Sequence, residues 1–257
     1  MSGIGIEAVG LGKRFGGRDV VSGVSFDVPR GGIVGFLGAN GAGKSTTMRM
    51  LTGYLAADHG TARIAGIDVA LSPVDARRHL GYLPEAATGF GTLTVVEFIE
   101  FCAEARGLFG ARRTRAVSDV CERLDLRAVA TRPMRNLSKG LRQRAWLAQA
   151  LVHDPAVLIL DEPTDGLDPM QKVELRSLLR HLARSKAVLM STHILEEAEE
   201  LCERIMVLRA GRIVADSSAA ELMDGKGRLA AAYTRLTASG PPSDNQGAVA
   251  SAKESAG

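Results

Sequence analysis

Eight consecutive residues, Gly38-Ala39-Asn40-Gly41-Ala42-Gly43-Lys44-Ser45, have the types and spacing needed to hold a chain of phosphates. An apolar run at 33–37 precedes them and a helix-compatible segment at 46–51 follows. That strand–loop–helix setting is what a phosphate-binding loop requires. Glycines at 38, 41 and 43 let the backbone curl until successive N–H groups face one concavity, and the positive end of the next helix adds to the field there. Lys44 would reach the β- and γ-phosphates as a point charge, and the Ser45 hydroxyl would ligate a Mg²⁺ bridging them. Ala39, Asn40, Ala42 and Thr46 complete the expected cradle. A Gly-rich turn that merely precedes Lys-Ser is the competing structural reading.

A second group of residues could complete a hydrolytic site. Asp161 ends a short apolar run at 157–160, where its carboxylate would stand beside the loop and hold Mg²⁺ through water. Glu162, its neighbour, could face the terminal phosphate and take a proton from the attacking water, a role worth roughly 10² to 10⁴ in rate. Alone, Asp161-Glu162-Pro163 reads equally well as a turn forced by proline. Its coincidence with the phosphate loop favours chemistry. His193 follows a second apolar run, at 187–190.

The elements that must position these residues are legible in outline. The runs at 33–37, 157–160 and 187–190 suit strands buried on both faces, hence a parallel sheet, and their alternation with helical segments predicts a doubly wound α/β fold. Runs at 4–9, 25–28 and 61–64, flanked by Gly and Pro, predict a small N-terminal antiparallel β layer. A helix over 94–107 is predicted with Val95, Val96, Phe98, Ile99, Phe101, Cys102 and Ala105 on a broad buried face, and 117–126 continues the helical character. Ser138 is the expected N-cap of a helix running through Trp146 to Leu151. Ala210-Gly211 reads as a hairpin turn from 205–208 into 212–215. The Ser-, Gly-, Pro- and Ala-rich segment 237–257 carries too little apolar surface to fold and is expected to be disordered.

Leu137-Ser138-Lys139-Gly140-Leu141-Arg142-Gln143-Arg144, taken with the phosphate loop, Asp161-Glu162 and Gly166-Leu167-Asp168-Pro169, resembles the ATP-binding cassette family, the ATPase subunits of ABC transporters. The resemblance covers about residues 4–225 and implies an ATPase domain over 4–236, a P-loop NTPase fold with a helical subdomain at about 86–154. It implies ATP and Mg²⁺ as ligands. Ser138 and Gly140 would approach the γ-phosphate from a second subunit, expected to be another copy of the chain. His193 would be the switch histidine that senses that phosphate, and Phe15 would offer its ring to adenine, with stacking worth ~1 to 3 kcal/mol. Read singly, Phe15 is as well explained as core. Glu85, in Gly81-Tyr82-Leu83-Pro84-Glu85, stands where the family usually has a glutamine linking Mg²⁺ to the membrane subunit. An ionised carboxylate there adds negative charge and can only accept hydrogen bonds. The common signature Leu-Ser-Gly-Gly-Gln is changed to Lys139 at its third position and Leu141 at its fifth. These departures resemble the ABC-2 branch, whose members are mostly exporters. Phe90, Phe98 and Phe101 are candidates for a groove that receives a helix of a membrane permease.

Composition bounds the alternatives. The 257 residues carry a net charge of only +3 with no basic block, so nucleic acid is not an expected partner. Cys102, Cys121 and Cys202 lack metal-ligand spacing and read as reduced thiols. No run approaches the ~18 apolar residues of a spanning helix. The expected place is the cytoplasm, peripheral on the inner face of the cell membrane. A soluble ATP-switched protein acting in translation or DNA repair, and an importer subunit, remain the competing functions.

Overall fold

Period-two alternation inside the short apolar strands sorts their side chains onto the two faces of one sheet. The computed structural model describes residues 3–85, 88–224 and 226–238. From the N-terminus, β1 (Ile4–Phe15), β2 (Arg18–Pro29) and β3 (Gly32–Leu37) lead to α1 (Lys44–Leu51), then β4 (His59–Ile64), β5 (Ile67–Asp68), α2 (Pro73–Arg78) and β6 (Leu80–Leu83). Helices α3 (Val95–Ala105), α4 (Gly110–Arg123) and α5 (Lys139–Leu151) follow. Next come β7 (Val157–Asp161), α6 (Pro169–Ala183), β8 (Ala187–Thr192), α7 (Leu195–Leu201), β9 (Arg204–Arg209), β10 (Arg212–Ser218), α8 (Ala219–Leu222) and α9 (Ala230–Ala238).

Among the described residues the main sheet has the order β10-β9-β3-β8-β7-β6, parallel except for β10. A smaller antiparallel sheet, β2-β1-β4-β5, covers one side. Ile33, Leu37, Leu158, Leu160, Val188 and Met190 point to a core shared with α3, α4, α5, α6 and α7. Their neighbours Val34, Phe36, Val157, Ile159, Ala187 and Leu189 point the other way, to a core shared with the small sheet and α1. Every residue of β3, β7 and β8 is buried, as parallel strands covered on both faces require. This is the P-loop NTPase architecture expected, antiparallel layer included.

Several boundaries differ from the sequence expectation. β1 runs on to Phe15 and β2 starts at Arg18, because each strand pairs along its length with the other despite register shifts. α3 begins at Val95, with Thr94 and Glu97 forming a capping box, and it buries only Val95, Phe98, Ile99 and Ala103. Phe101 is 52% exposed and Ala105 is exposed, so the buried face is a narrow i, i+3, i+4, i+8 stripe rather than the broad face expected. α4 starts at Gly110, seven residues ahead of the expected 117, and carries Arg112 and Arg115 on its exposed side, while the half-buried Arg113 pairs with Glu104 of α3. Thr237 and Ala238 complete α9 instead of starting the tail, since Thr237 Oγ1 donates to the Tyr233 carbonyl inside the helix. The rest of the tail, 239–257, and residues 86–87 lie outside the described residues.

Candidate active site

Parallel register brings the chemically competent residues to one edge of the sheet. Leu37 pairs with Thr192, and Asp161 pairs with Ser191, so β3, β7 and β8 end side by side. The loop 38–43, Glu162 and His193 therefore leave the same carboxyl edge, where α/β sheets bind ligands.

The loop curls as its glycines allow. Gly41 and Gly43 have φ of 81° and 105°, and a side chain on Gly43 would come within 2.9 Å of the Val20 carbonyl oxygen. Lys44 Nζ donates to the Gly38 carbonyl at 2.7 Å and more weakly to Ala39 at 3.4 Å, so the lysine folds back over the loop it follows. Ala39, Asn40, Gly41, Ala42, Gly43, Lys44, Ser45, Thr46, Glu85, Glu162 and Val20 line a cavity of about 350 Å³. That volume lies within the ordinary range for a small ligand.

Glu162 is the centre of the polar network. Its carboxylate is buried; one oxygen lies 3.6 Å from Lys44 Nζ and the other 3.0 Å from His193 Nδ1. Its own backbone is left-handed, φ 50°, a conformation that costs a non-glycine residue ~1 to 2 kcal/mol. Ser191 holds it there: the Glu162 N–H donates to Ser191 Oγ at 3.0 Å, and that hydroxyl donates to Asp161 Oδ1 at 2.5 Å. One fully buried serine thus ties the Asp161 carboxylate to the Glu162 backbone. Burial, with Asp161 nearby, pushes the Tyr82 phenol up to about 12. The segment leading to His193 is anchored separately, Thr192 Oγ1 donating to Glu197 Oε2 at 3.0 Å and accepting from the Ile194 N–H. Glu197, nearly inaccessible, is paired with Lys172 at 3.0 Å. His193 itself remains half exposed, with one ring nitrogen on Glu162.

Two braces had no signal strong enough to be read from sequence. The β9–β10 turn, at Ala210-Gly211, hydrogen-bonds the phosphate loop through Gly211 N–H to the Ala42 carbonyl, 2.9 Å, and accepts from Ser22 N–H of β2, 2.9 Å. The hairpin was legible; what it supports, more than 160 residues earlier, was not. Ser191 was likewise legible only as a polar residue ending a strand.

Other expected positions fall into place or apart. Ser138 caps α5, its Oγ accepting from Leu141 N–H at 3.3 Å, and neither it nor Gly140 lines the cavity. Phe15 is 49% exposed at the end of β1 and outside the cavity lining, with Lys13 Nζ 5.6 Å from its ring centroid. Phe98 is wholly buried, its ring 4.9 Å from that of Trp146, and so belongs to the core; Phe90 and Phe101 are exposed beside it. Glu85 joins Glu162 in the lining of the cavity.

The donor set can hold a triphosphate and a hard cation. Curled N–H groups, Lys44 and a helix N-terminus suit phosphate, while the Ser45 hydroxyl and Asp161 carboxylate suit Mg²⁺. No cluster of three His, Cys, Asp or Glu that could hold a metal occurs among the described residues. Among them, too, no helix is long and apolar enough to cross a membrane.

Residues 21–165 match the family described as ABC transporter. The "Nod factor export ATP-binding protein I" of Ralstonia nicotianae is 40% identical over 215 residues, which are 83% of this chain and 67% of that protein. The "Probable multidrug ABC transporter ATP-binding protein YbhF" of Escherichia coli is 37% identical over 84% of this chain, although the match spans only 38% of that protein. A solved "Structure of ATP binding subunit of ABC transporter" superposes with a TM-score of 0.82 at 30% identity, over 90% of this chain and 99% of the other.

Proposed function

The chain belongs to the ABC transporter family as an ATP-binding subunit, and from that premise we propose that it hydrolyses ATP in a dimer and so drives export through a membrane permease. The observation that carries this reading is the Glu162 carboxylate, buried at the rim of the phosphate-loop cavity between Lys44 and His193.

The chemistry follows from the positions of the side chains. The loop N–H groups and Lys44 hold the β- and γ-phosphates, and Lys44 offsets the charge that grows on the γ-phosphoryl oxygens as water attacks in line. Ser45 and Asp161 would hold Mg²⁺, which would supply further neutralisation of phosphate charge. Glu162 accepts the proton of the attacking water. Engagement of Lys44 by phosphate frees one Glu162 oxygen for that task, while His193 keeps the other oriented and touches the γ-phosphate. Ser138 and Gly140 of a second copy close the site from the other side, with the positive end of α5 directed at phosphate. The exposed ring of Phe15 is free to stack on adenine. Glu85 supplies an acceptor at the cavity wall that a permease-coupled motion can move.

Export is supported by the relatives, one named for Nod factor export and one for multidrug transport. In this reading the membrane path belongs to partner chains, and this subunit docks on their cytoplasmic side.

Two measurements test the reading. Glu162→Gln keeps ATP binding, lowers turnover at least ~100-fold and accumulates a Mg-ATP-dependent dimer; near-normal hydrolysis would remove Glu162 from its role. The same tagged variant, purified from native membranes with Mg-ATP, carries a stoichiometric polytopic protein, whereas a ribosome or DNA complex would point to a soluble switch.

A further inference from the structure

The first turns of α5 grip the loop that carries Glu162. Lys139 and Gln143, four residues apart, share one face of the helix. Gln143 Nε2 donates to the Pro163 carbonyl at 3.1 Å, and Lys139 Nζ pairs with Asp165 Oδ2 at 2.9 Å. A methyl group placed on Gly166 would collide with Lys139 Cδ, Cε and Nζ, so the lysine stem lies directly across that left-handed glycine, φ 70°. The Asp165 N–H donates in turn to the Glu162 carbonyl at 3.1 Å, and Leu167 N–H to Thr164 at 3.2 Å. Beside Lys139 in the first turn, a Cβ on Gly140 would meet the side-chain amide of Gln171, which caps α6 with Asp168. The tip of α5 is therefore tied to the 162–168 loop through both Gln143 and Lys139. Lys139 occupies the signature position where the common pattern has glycine, and glycine could make neither the ion pair nor the stem contact.

We propose that Lys139 is a positioning residue that links the two ATP sites of the dimer, transmitting closure of the signature helix on one nucleotide to Glu162 at the other. The inference rests on the reading above that Ser138 and Gly140 close the partner's site. When they draw the tip of α5 toward that phosphate, Lys139 carries Asp165 with it, and Asp165 is bonded to the backbone of Glu162. Glu162 sits in a strained left-handed conformation, so a small displacement of its carbonyl re-aims its carboxylate. The pair is exposed, at 64% and 58%, and contributes little to folding. Its loss is therefore read in turnover and cooperativity, not in stability.

The test compares the wild type with Lys139→Met, Lys139→Asp and the exchange variant Lys139→Asp/Asp165→Lys. Lys139→Met lowers kcat about 3- to 5-fold with KM within about twofold, brings the Hill coefficient for ATP toward 1, and leaves Tm within about 1 °C. The exchange variant recovers at least half the wild-type kcat. Wild-type kcat and Hill coefficient in Lys139→Met, or an exchange variant no better than Lys139→Asp alone, would overturn the proposal. Amide hydrogen exchange across 162–167 gives a readout independent of turnover: it speeds up several-fold in Lys139→Met and returns in the exchange variant, and unchanged protection in Lys139→Met also overturns the link. Failure of the ATPase reading has a different signature, no hydrolysis by the wild type and no Mg-ATP-dependent dimer of Glu162→Gln.

Discussion

Two Ala-Gly turns in this chain have almost the same backbone and very different surroundings, which makes them a matched test of how the phosphate loop is held. Ala65-Gly66 joins β4 to β5 with φ of 50° and 82°, and Ala210-Gly211 joins β9 to β10 with φ of 47° and 78°. A methyl group on Gly66 would meet nothing within 4 Å. On Gly211 it would press on the Val20 carbonyl, lying 2.8 Å from that carbonyl carbon and 3.0 Å from Val21 Cα, all of it backbone of a paired strand. Gly66→Ala should therefore cost only the left-handed strain, about 1 to 2 kcal/mol. Gly211→Ala carries the same strain plus an overpacking cost of about 1 to 3 kcal/mol, and weakens two hydrogen bonds, to Ala42 and from Ser22, worth about 1 kcal/mol each. Urea unfolding should place Gly211→Ala at least about 2 kcal/mol below Gly66→Ala with an unchanged m-value, and its Tm lower by roughly 4 to 8 °C. Because the Gly211 N–H donates to the Ala42 carbonyl of the phosphate loop, ATP affinity should fall at least about tenfold for Gly211→Ala and stay within twofold for Gly66→Ala. Equal stabilities within about 0.5 kcal/mol would refute the reasoning and show that the hairpin merely lies beside the loop.

Ser191→Ala removes the hydroxyl shared by Asp161 and the Glu162 N–H. It should cost about 1 to 3 kcal/mol in unfolding free energy and lower kcat about tenfold, with ATP affinity within about threefold in a direct binding titration. His153 is held neutral by burial, and by nearby Arg106, with its pKa lowered to about 4 while Nε2 meets the Leu80 carbonyl at 3.1 Å. The unfolded chain takes up that proton below about pH 6.5, so stability should fall as pH drops from about 6.5 to about 4, by at most about 3 kcal/mol. His153→Gln, which retains a donor for Leu80, should flatten the plot of unfolding free energy against pH in that window.

Local chemistry made much of this protein legible without coordinates. Glycine spacing before Lys44-Ser45, apolar runs ending in Asp161-Glu162 and in Ser191-Thr192-His193, and a Ser138 cap depend on neighbours a few residues away, and the main strands and helices form where those patterns place them. Boundaries were less legible where pairing decided them. β1 and β2 extend because each supplies the other's hydrogen bonds, and α3 narrows its buried stripe because only one side meets α4 and α5.

What the sequence by itself determined was the inventory: a loop able to bind phosphate, two carboxylates and a histidine at strand ends, and strands apolar enough to be buried on both faces. Which of these meet was decided only by the tertiary structure. The parallel register of β3, β8 and β7 sets Glu162 between Lys44 and His193; the turn at Gly211 supports a loop far from it in the chain; and Lys139 lies across Gly166. Those contacts join residues tens to hundreds of positions apart. Propensity and periodicity act over a single helix turn or strand, whereas these distances are set by how the whole sheet buries its two faces.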